Sequence, residues 1–278
     1  MPQKLWSLFP NGKKTRTLSF VKKQLLPVLL MLAAIFPIAN VEAGPLPTQQ
    51  LTVSFDLDAG RIFGTSEIII PANIETSLEL GDLTPTFLQL DGKNIVADQD
   101  NGHKIAIPAM NKAQNIIVSF EKSVPTNPLE ATDNLIGKQG ITLTGFWHPR
   151  LATPSHFQLE ADVPASFTAI SEANLITSTP NKNGRRFSFK MEQPTTSINL
   201  IAGDYVVTET PFADNKKLVT CFFKEDQQLA AHYRDKSLTY LNRYQKLIGE
   251  FPYQRFTVVE NRLPTGYAMP TFTLLGQA

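Results

Sequence analysis

The sequence predicts a mainly β protein: an antiparallel saddle or sandwich of short strands over residues 44–210, then the first α+β elements of a second domain over 211–278. Three observations predict this. Apolar and polar residues alternate in run after run, turn-forming pairs separate the runs, and only one long helical pattern occurs, near the carboxyl end.

Alternation is clearest at the first strand. Leu51, Val53, Phe55 and Leu57 fall on one face, and Thr52, Ser54 and Asp56 on the other, because successive side chains of a strand point to opposite sides. The same period recurs at Ile116-Val118-Phe120, Phe157-Leu159-Ala161-Val163, Phe187-Phe189-Met191 and Ile198-Leu200-Ala202. Asp91-Gly92, Asn101-Gly102 and Asn183-Gly184 are pairs that accept positive φ, as tight hairpins require. The prolines at 125 and 128 fit a loop. Near Pro211 the pattern changes. A strand over 218–223 leads to a helix over 226–248, with Asp226 as its candidate cap. Leu229, Tyr233, Tyr240, Leu241, Tyr244 and Ile248 form an apolar stripe at helical spacing, read as packing surface, and Gly249 and Pro252 stop the helix. Residues 256–259 read as a buried strand and 271–275 as the start of another, so the second domain is expected to open without closing before Ala278.

Composition and charge narrow the function classes. Hydrophobic residues make up 42% and charged residues 18%, which is globular rather than disordered. The net charge of +1 hides an uneven distribution: Lys4, Lys13, Lys14, Arg16, Lys22 and Lys23 precede Gly44 against Glu42 alone. The rest of the chain is mildly acidic, which gives no electrostatic case for nucleic acid. The basic stretch precedes an apolar run over 25–39, with Val41 and Ala43 placed as at a signal cleavage site. Residues 1–43 are therefore expected to be a signal peptide, and the protein exported to the periplasm or the extracellular space. Membrane anchoring through 25–39 is the alternative if the signal stays uncleaved; the run is short for a spanning helix and holds Pro27 and Pro37.

Candidate chemistry is sparse. Cys221 is the only cysteine, set among Val219, Phe222 and Phe223, and reads as a buried apolar thiol. None of His103, His148, His156 and His232 pairs at the i, i+4 spacing that would put two imidazoles on one helix face around a zinc ion. No nucleophile elbow or phosphate loop occurs, and Arg185-Arg186 and Lys216-Lys217 read as solvated edge charges.

The segment FPYQRFTVVENRLPTGYAMPTFTLL (251–275) carries the informative signal. With ITLTGFWHPR (141–150), FTAISEAN (167–174), NLIAGDYVV (199–207) and the helix end at 240–248, it resembles, in order, the stretch preceding the metal helix of the aminopeptidase N family of zinc metallopeptidases. The resemblance implies an all-β amino-terminal domain followed by the start of a thermolysin-like catalytic domain. It implies a zinc ion in the full-length protein, held by residues beyond Ala278, so that this chain carries no cofactor and no catalytic residue of its own. Partners implied are a peptide substrate and the rest of the catalytic domain. Gly266, Tyr267, Ala268 and Met269 match the familial edge strand that runs along bound peptide. Pro270 stands where the family has the glutamate that pairs with a free α-amine, which implies altered, relaxed or endopeptidase-like specificity. Trp147 falls at the familial rim of the substrate cleft, with a packing anchor as its other reading. The rival to the peptidase reading is a non-catalytic exported β module that binds a peptide or an envelope partner.

Overall fold

The expected alternation becomes strand pairing. The computed structural model describes residues 44–96, 103–213 and 215–276; residues 1–43, expected to be a signal peptide, the expected Asn101-Gly102 turn pair and Gln277-Ala278 lie outside the described residues. In chain order, β1 (Thr48–Asp56) and β2 (Arg61–Ile70) form a hairpin, β3 (Thr76–Glu79) leaves for another sheet, and β4 (Thr84–Leu90) and β5 (Lys93–Asn94) return. β6 (Lys104–Ile107) pairs with β3, and β7 (Gln114–Ser123) lies between β2 and β4. β8 (Asn134–Gly137) and β9 (Gly140–Leu143) make a tight hairpin, β10 (Arg150–Leu151) joins β3, and β11 (His156–Val163) lies against β1. After β12 (Thr168–Ile170) come the paired β13 (Leu175–Asn181) and β14 (Gly184–Lys190), then β15 (Leu200–Gly203) between β12 and β9. β16 (Tyr205–Phe212) and β17 (Lys216–Phe223) open a new sheet. A 3-10 turn (Lys224–Leu229) leads to α1 (Ala230–Ile248), followed by β18 (Arg255–Glu260), β19 (Tyr267–Ala268) and β20 (Phe272–Leu275).

The sheets are an eight-stranded one (β13-β14-β11-β1-β2-β7-β4-β5), a three-stranded one (β10-β3-β6), a four-stranded one (β12-β15-β9-β8) and a five-stranded one (β16-β17-β18-β20-β19). The mainly β, largely antiparallel fold expected from the sequence is what forms. The five alternating runs bury the apolar faces assigned to them: Leu51, Val53, Ile116, Val118, Phe120, Phe157, Leu159, Phe187, Phe189 and Leu200 share one core cluster. Each such side chain contributes about 1.5–3 kcal/mol on burial. β9 and β15 are buried at every position, because they are covered on both faces. Leu143, Leu200 and Ala202 face the main core, while Ile201 faces a second cluster with Tyr205, Val219, Cys221, Phe223, Val259, Phe272 and Leu274 of the five-stranded sheet. The sheet changes at Asp204, and residues from Pro45 onward form one compact unit.

Four local expectations are corrected. β1 pairs with β11 in parallel, Thr48 opposite His156 through Val53 opposite Ala161; alternation fixes a face but not a strand's direction. Asp91 and Gly92 do adopt positive φ, 48° and 78°, but the β13–β14 loop is Lys182-Asn183 instead of Asn183-Gly184. Gly184 is needed for proximity, since a Cβ there would lie 2.2 Å from the Val163 carbonyl oxygen. Asp226 falls inside the 3-10 turn and caps nothing; the α-helix begins at Ala230 without a side-chain cap. The apolar stripe of α1 divides: Ala230, Tyr233, Leu238 and Leu241 pack against Leu218, Phe222 and Val258, whereas Tyr240, Tyr244 and Ile248 are exposed. Among the described residues no helix is long and apolar enough to cross a membrane.

Two buried titratable groups make stability pH-dependent in opposite directions. His148 is fully buried; its Nδ1–H donates to the Pro149 carbonyl at 2.7 Å and its Nε2 accepts the Ile198 N–H at 3.3 Å, which fixes a neutral tautomer. Burial pushes its pKa down to about 3. Glu260, at the carboxyl end of β18, accepts the Phe223 N–H at 2.7 Å. Burial, reinforced by the Asp226 carboxyl, pushes its pKa up to about 7.

A depressed histidine pKa means that stability present above pH 6.5 is lost on acidification toward pH 3, with a ceiling of about 5 kcal/mol. In urea titrations at pH 7.5 and pH 5, His148→Gln is expected to start less stable and to lose less on acidification, so the midpoints converge. Glu260 has the opposite sign: its raised pKa favours the folded state at low pH, and that contribution is lost as pH rises from 4.5 through about 7. Glu260→Gln keeps an acceptor for Phe223 and is expected to raise the melting temperature at pH 8 more than at pH 5.

Candidate functional site

The residues matched to the substrate strand, Gly266 to Met269, come to the open edge of the five-stranded sheet, because β19 pairs with β20 alone. The pairing is antiparallel, Tyr267 opposite Leu274 and Ala268 opposite Thr273, and the Met269 N–H donates to the Phe272 carbonyl at 2.8 Å. Antiparallel pairs alternate between exchanging hydrogen bonds and facing away. Met269 and Tyr267 therefore bond inward, and the N–H and C=O of Ala268 and Gly266 face outward. Both residues are exposed. Two outward-facing residues at strand spacing are what an extended peptide needs to add as a further strand. The row ends as the chain turns: Pro270 and Thr271 occupy the centre of the tight turn that the Met269 N–H closes on the Phe272 carbonyl. The edge is blunted there, as natural sheets blunt open edges.

What holds this short strand is a set of side chains from distant parts of the chain. Asn261, fully buried just after β18, has its Oδ1 bonded by the Thr142 hydroxyl of β9 at 2.7 Å, and its Nδ2 donates to the Thr265 carbonyl at 3.1 Å. Its backbone N–H donates to Leu275 at 3.0 Å. The Tyr267 hydroxyl reaches Asp133 at 3.0 Å, and that carboxylate raises the phenol's pKa above its ordinary value. On the other side Asn199 Nδ2 lies 3.4 Å from the Met269 sulfur and also bonds Glu172 Oε1. Glu172 Oε2 accepts the Asn199 N–H at 2.9 Å. None of these residues is singled out by sequence reasoning; Thr142, Glu172, Asn199 and Asn261 fall inside the recognised stretches 141–150, 167–174, 199–207 and 251–275, and Asp133 falls in none.

Trp147 does not join this group. It is fully buried, its Nε1–H donates to the Ile198 carbonyl at 2.9 Å, and its ring meets His148 edge-on at 4.8 Å. It occupies the position of a packing anchor and presents no surface to a ligand. Cys221 is likewise enclosed, and burial pushes its thiol pKa up to about 12, too high for a nucleophile at neutral pH.

The donor set does not fit zinc. Among the described residues no group of three or more His, Cys, Asp or Glu could hold a metal ion. His148 has both ring nitrogens engaged, His103 Nδ1 bonds the Gly81 carbonyl at 2.9 Å, and His232 lies on α1 edge-on to Tyr233.

The support of β19 yields a direct test. Asn261→Ala leaves the buried Thr142 hydroxyl and Thr265 carbonyl without their partner, which costs about 1–3 kcal/mol for such a group. The expected outcome is a lower melting temperature together with faster amide exchange at Gly266 and Tyr267, read by hydrogen–deuterium exchange.

No protein-family model matches the sequence, and no curated protein matches it. Solved structures do share its fold. An M1 zinc metallopeptidase mutant from Deinococcus radiodurans aligns with a TM-score of 0.58 at 14% identity, over 82% of this chain and 58% of that one. A mutant from the same organism bound to a Tyr-Ser-Ala substrate gives 0.58 at 14%, over 81% and 59%. A two-domain M1 zinc metallopeptidase mutant bound to L-tryptophan gives 0.59 at 13%, over 81% and 59%. The chain thus spans less than two thirds of the length of these structures, and it shares the fold of that portion of M1 zinc metallopeptidases.

Proposed function

We propose that this chain is the amino-terminal β part, with the opening elements of the catalytic domain, of an exported zinc metallopeptidase, and that it aligns peptide substrates along Gly266 to Met269. The observation that carries the reading is the open edge at β19, where Ala268 and Gly266 turn their backbone groups outward. Its support comes from the fold shared with M1 zinc metallopeptidases, some of them with a bound amino acid or peptide. On this reading residues 1–43 direct export, the β sheets wall one side of a cleft, and zinc with its ligands belongs to residues outside this chain. The edge offers two outward residues before the chain turns at Pro270 and Thr271, so backbone pairing fixes the direction and register of a peptide without demanding a particular side chain. Pro270 brings no carboxylate to that row, and the full-length enzyme is expected to cleave amino-terminally blocked peptides as well as free ones.

The deciding measurement is the intact mass of the native protein together with its zinc content. A mass well above 30.9 kDa, about one zinc per molecule and cleavage of both blocked and free peptides is the expected result. A metal-free protein of this chain's mass, or of this chain less residues 1–43, overturns the peptidase and leaves a peptide-binding exported module.

A further inference from the structure

The strand registers of the eight-stranded sheet define what its outer face presents. Alternation turns Leu51, Val53, Leu159 and Phe189 into the core, so the residues between them point the other way. Glu67 of β2, Gln50 of β1, Gln158 of β11, Lys190 of β14 and Leu175 of β13 lie directly opposite one another across five strands, and all five are exposed. The next row, two residues along each strand, is Thr65, Thr52, Glu160, Ser188 and Thr177. Two adjoining depressions of about 540 and 120 Å³ lie over the first row and share Gln50, Gln158 and Lys190. The larger falls within the size range of ligand sites, about 300–1,000 Å³.

The chemistry of the two rows narrows the ligand. β1, β2, β11 and β14 each have a neighbour on both sides, so their backbone groups are spent in the sheet and recognition falls to side chains. Among the described residues the rows are engaged within the fold only at Glu160, which accepts from Arg186 at 3.0 Å, and Thr65, which meets Ser119 at 3.2 Å. The remaining amides and hydroxyls both donate and accept, as sugar hydroxyls do. Lys190 and Arg186 offset Glu67 and Glu160, so the face favours neither a polyanion nor a polycation. Leu175, 60% exposed, is the one large apolar side chain in the rows, too little surface for an apolar helix. Spacing decides the rest. The side chains of a row recur about every 4.7–4.9 Å, close to the advance per ring of an extended β-linked polysaccharide. An extended peptide presents same-side groups only every second residue, about 6.4–6.8 Å apart, and falls out of step.

We infer that this face binds a neutral, extended polysaccharide lying across the strands, one ring to each strand interval. Hydroxyls on the two edges of the chain meet the two rows, and Leu175 lies at one end, where it covers the apolar face of a ring. Five strands span about 19 Å, which sets the site at about four rings. The inference does not rest on the edge-strand reading, because neither row includes a residue of β19 or β20. It applies equally to a peptidase and to a non-catalytic exported module, and gives either one a hold on a polysaccharide matrix.

Calorimetric titration of the full chain with defined oligosaccharides tests this. The extended probes are the β-linked cello- and chito-oligosaccharides of two, four and six rings. The controls are maltohexaose, whose α-linked chain is curved, and hexagalacturonate, which is anionic. Tetramers of at least one extended series are expected to bind about tenfold more tightly than the dimers, with less than about a twofold gain from four rings to six. Maltohexaose and hexagalacturonate are expected to bind about tenfold more weakly than the extended hexamer. Combined Gln50→Ala and Gln158→Ala, both at exposed positions, are expected to lower affinity about tenfold with the melting temperature unchanged. Lys190→Met, at the next position of the row, is expected to act in the same direction, and Lys236→Ala on α1 to have no effect. Binding of neither extended series overturns the inference. So does equal affinity for maltohexaose, tighter binding of hexagalacturonate, or an affinity untouched by the Gln50 and Gln158 substitutions. Each of these outcomes leaves the β19 edge as it stands.

Discussion

One buried hydrogen bond governs the geometry on which the candidate site depends. Thr142 of the four-stranded sheet donates to Asn261, 119 residues later in the chain, and both are shielded from water. Neither group can be left unpaired there without a cost of about 1–3 kcal/mol. Asn261 spends its other hydrogen-bonding groups on Thr265 and Leu275, the residues that flank β19 in space. A short two-residue strand has little cohesion of its own. Its position is imposed from the β sheets through this amide, with Tyr267 on Asp133 as a second strut. The β part and the five-stranded sheet therefore act as one body where the edge is presented.

The same constraint explains why four strands are buried on both faces. β9 and β15 separate the main core from the second cluster, and β17 and β18 separate that cluster from α1. A strand with two covered faces reads as a continuous apolar run instead of an alternation. KKLVTCFF and RFTVVE have that character, and they pair in parallel, joined by the crossover through α1. Their direction follows from the length of the connection, since a parallel neighbour needs a long crossover.

Much of this was legible in the sequence, and the limits are physical. The faces of β1, β7, β11 and β14 followed from period two, because each has one side on the core. The parallel partner of β1 did not, since pairing depends on where a strand more than a hundred residues away returns. The stripe of α1 showed the same limit: spacing placed Tyr233 and Leu241 with Tyr240 and Tyr244, but only the first pair meets the sheet. The site divides in a similar way. Gly266 to Met269 were reached through resemblance, whereas Asn261, Thr142, Glu172 and Asn199 matter only through partners that no local pattern names. For Trp147 the sequence left two readings open, cleft rim and packing anchor; its full burial and the single bond from its indole N–H to the Ile198 carbonyl fit the second.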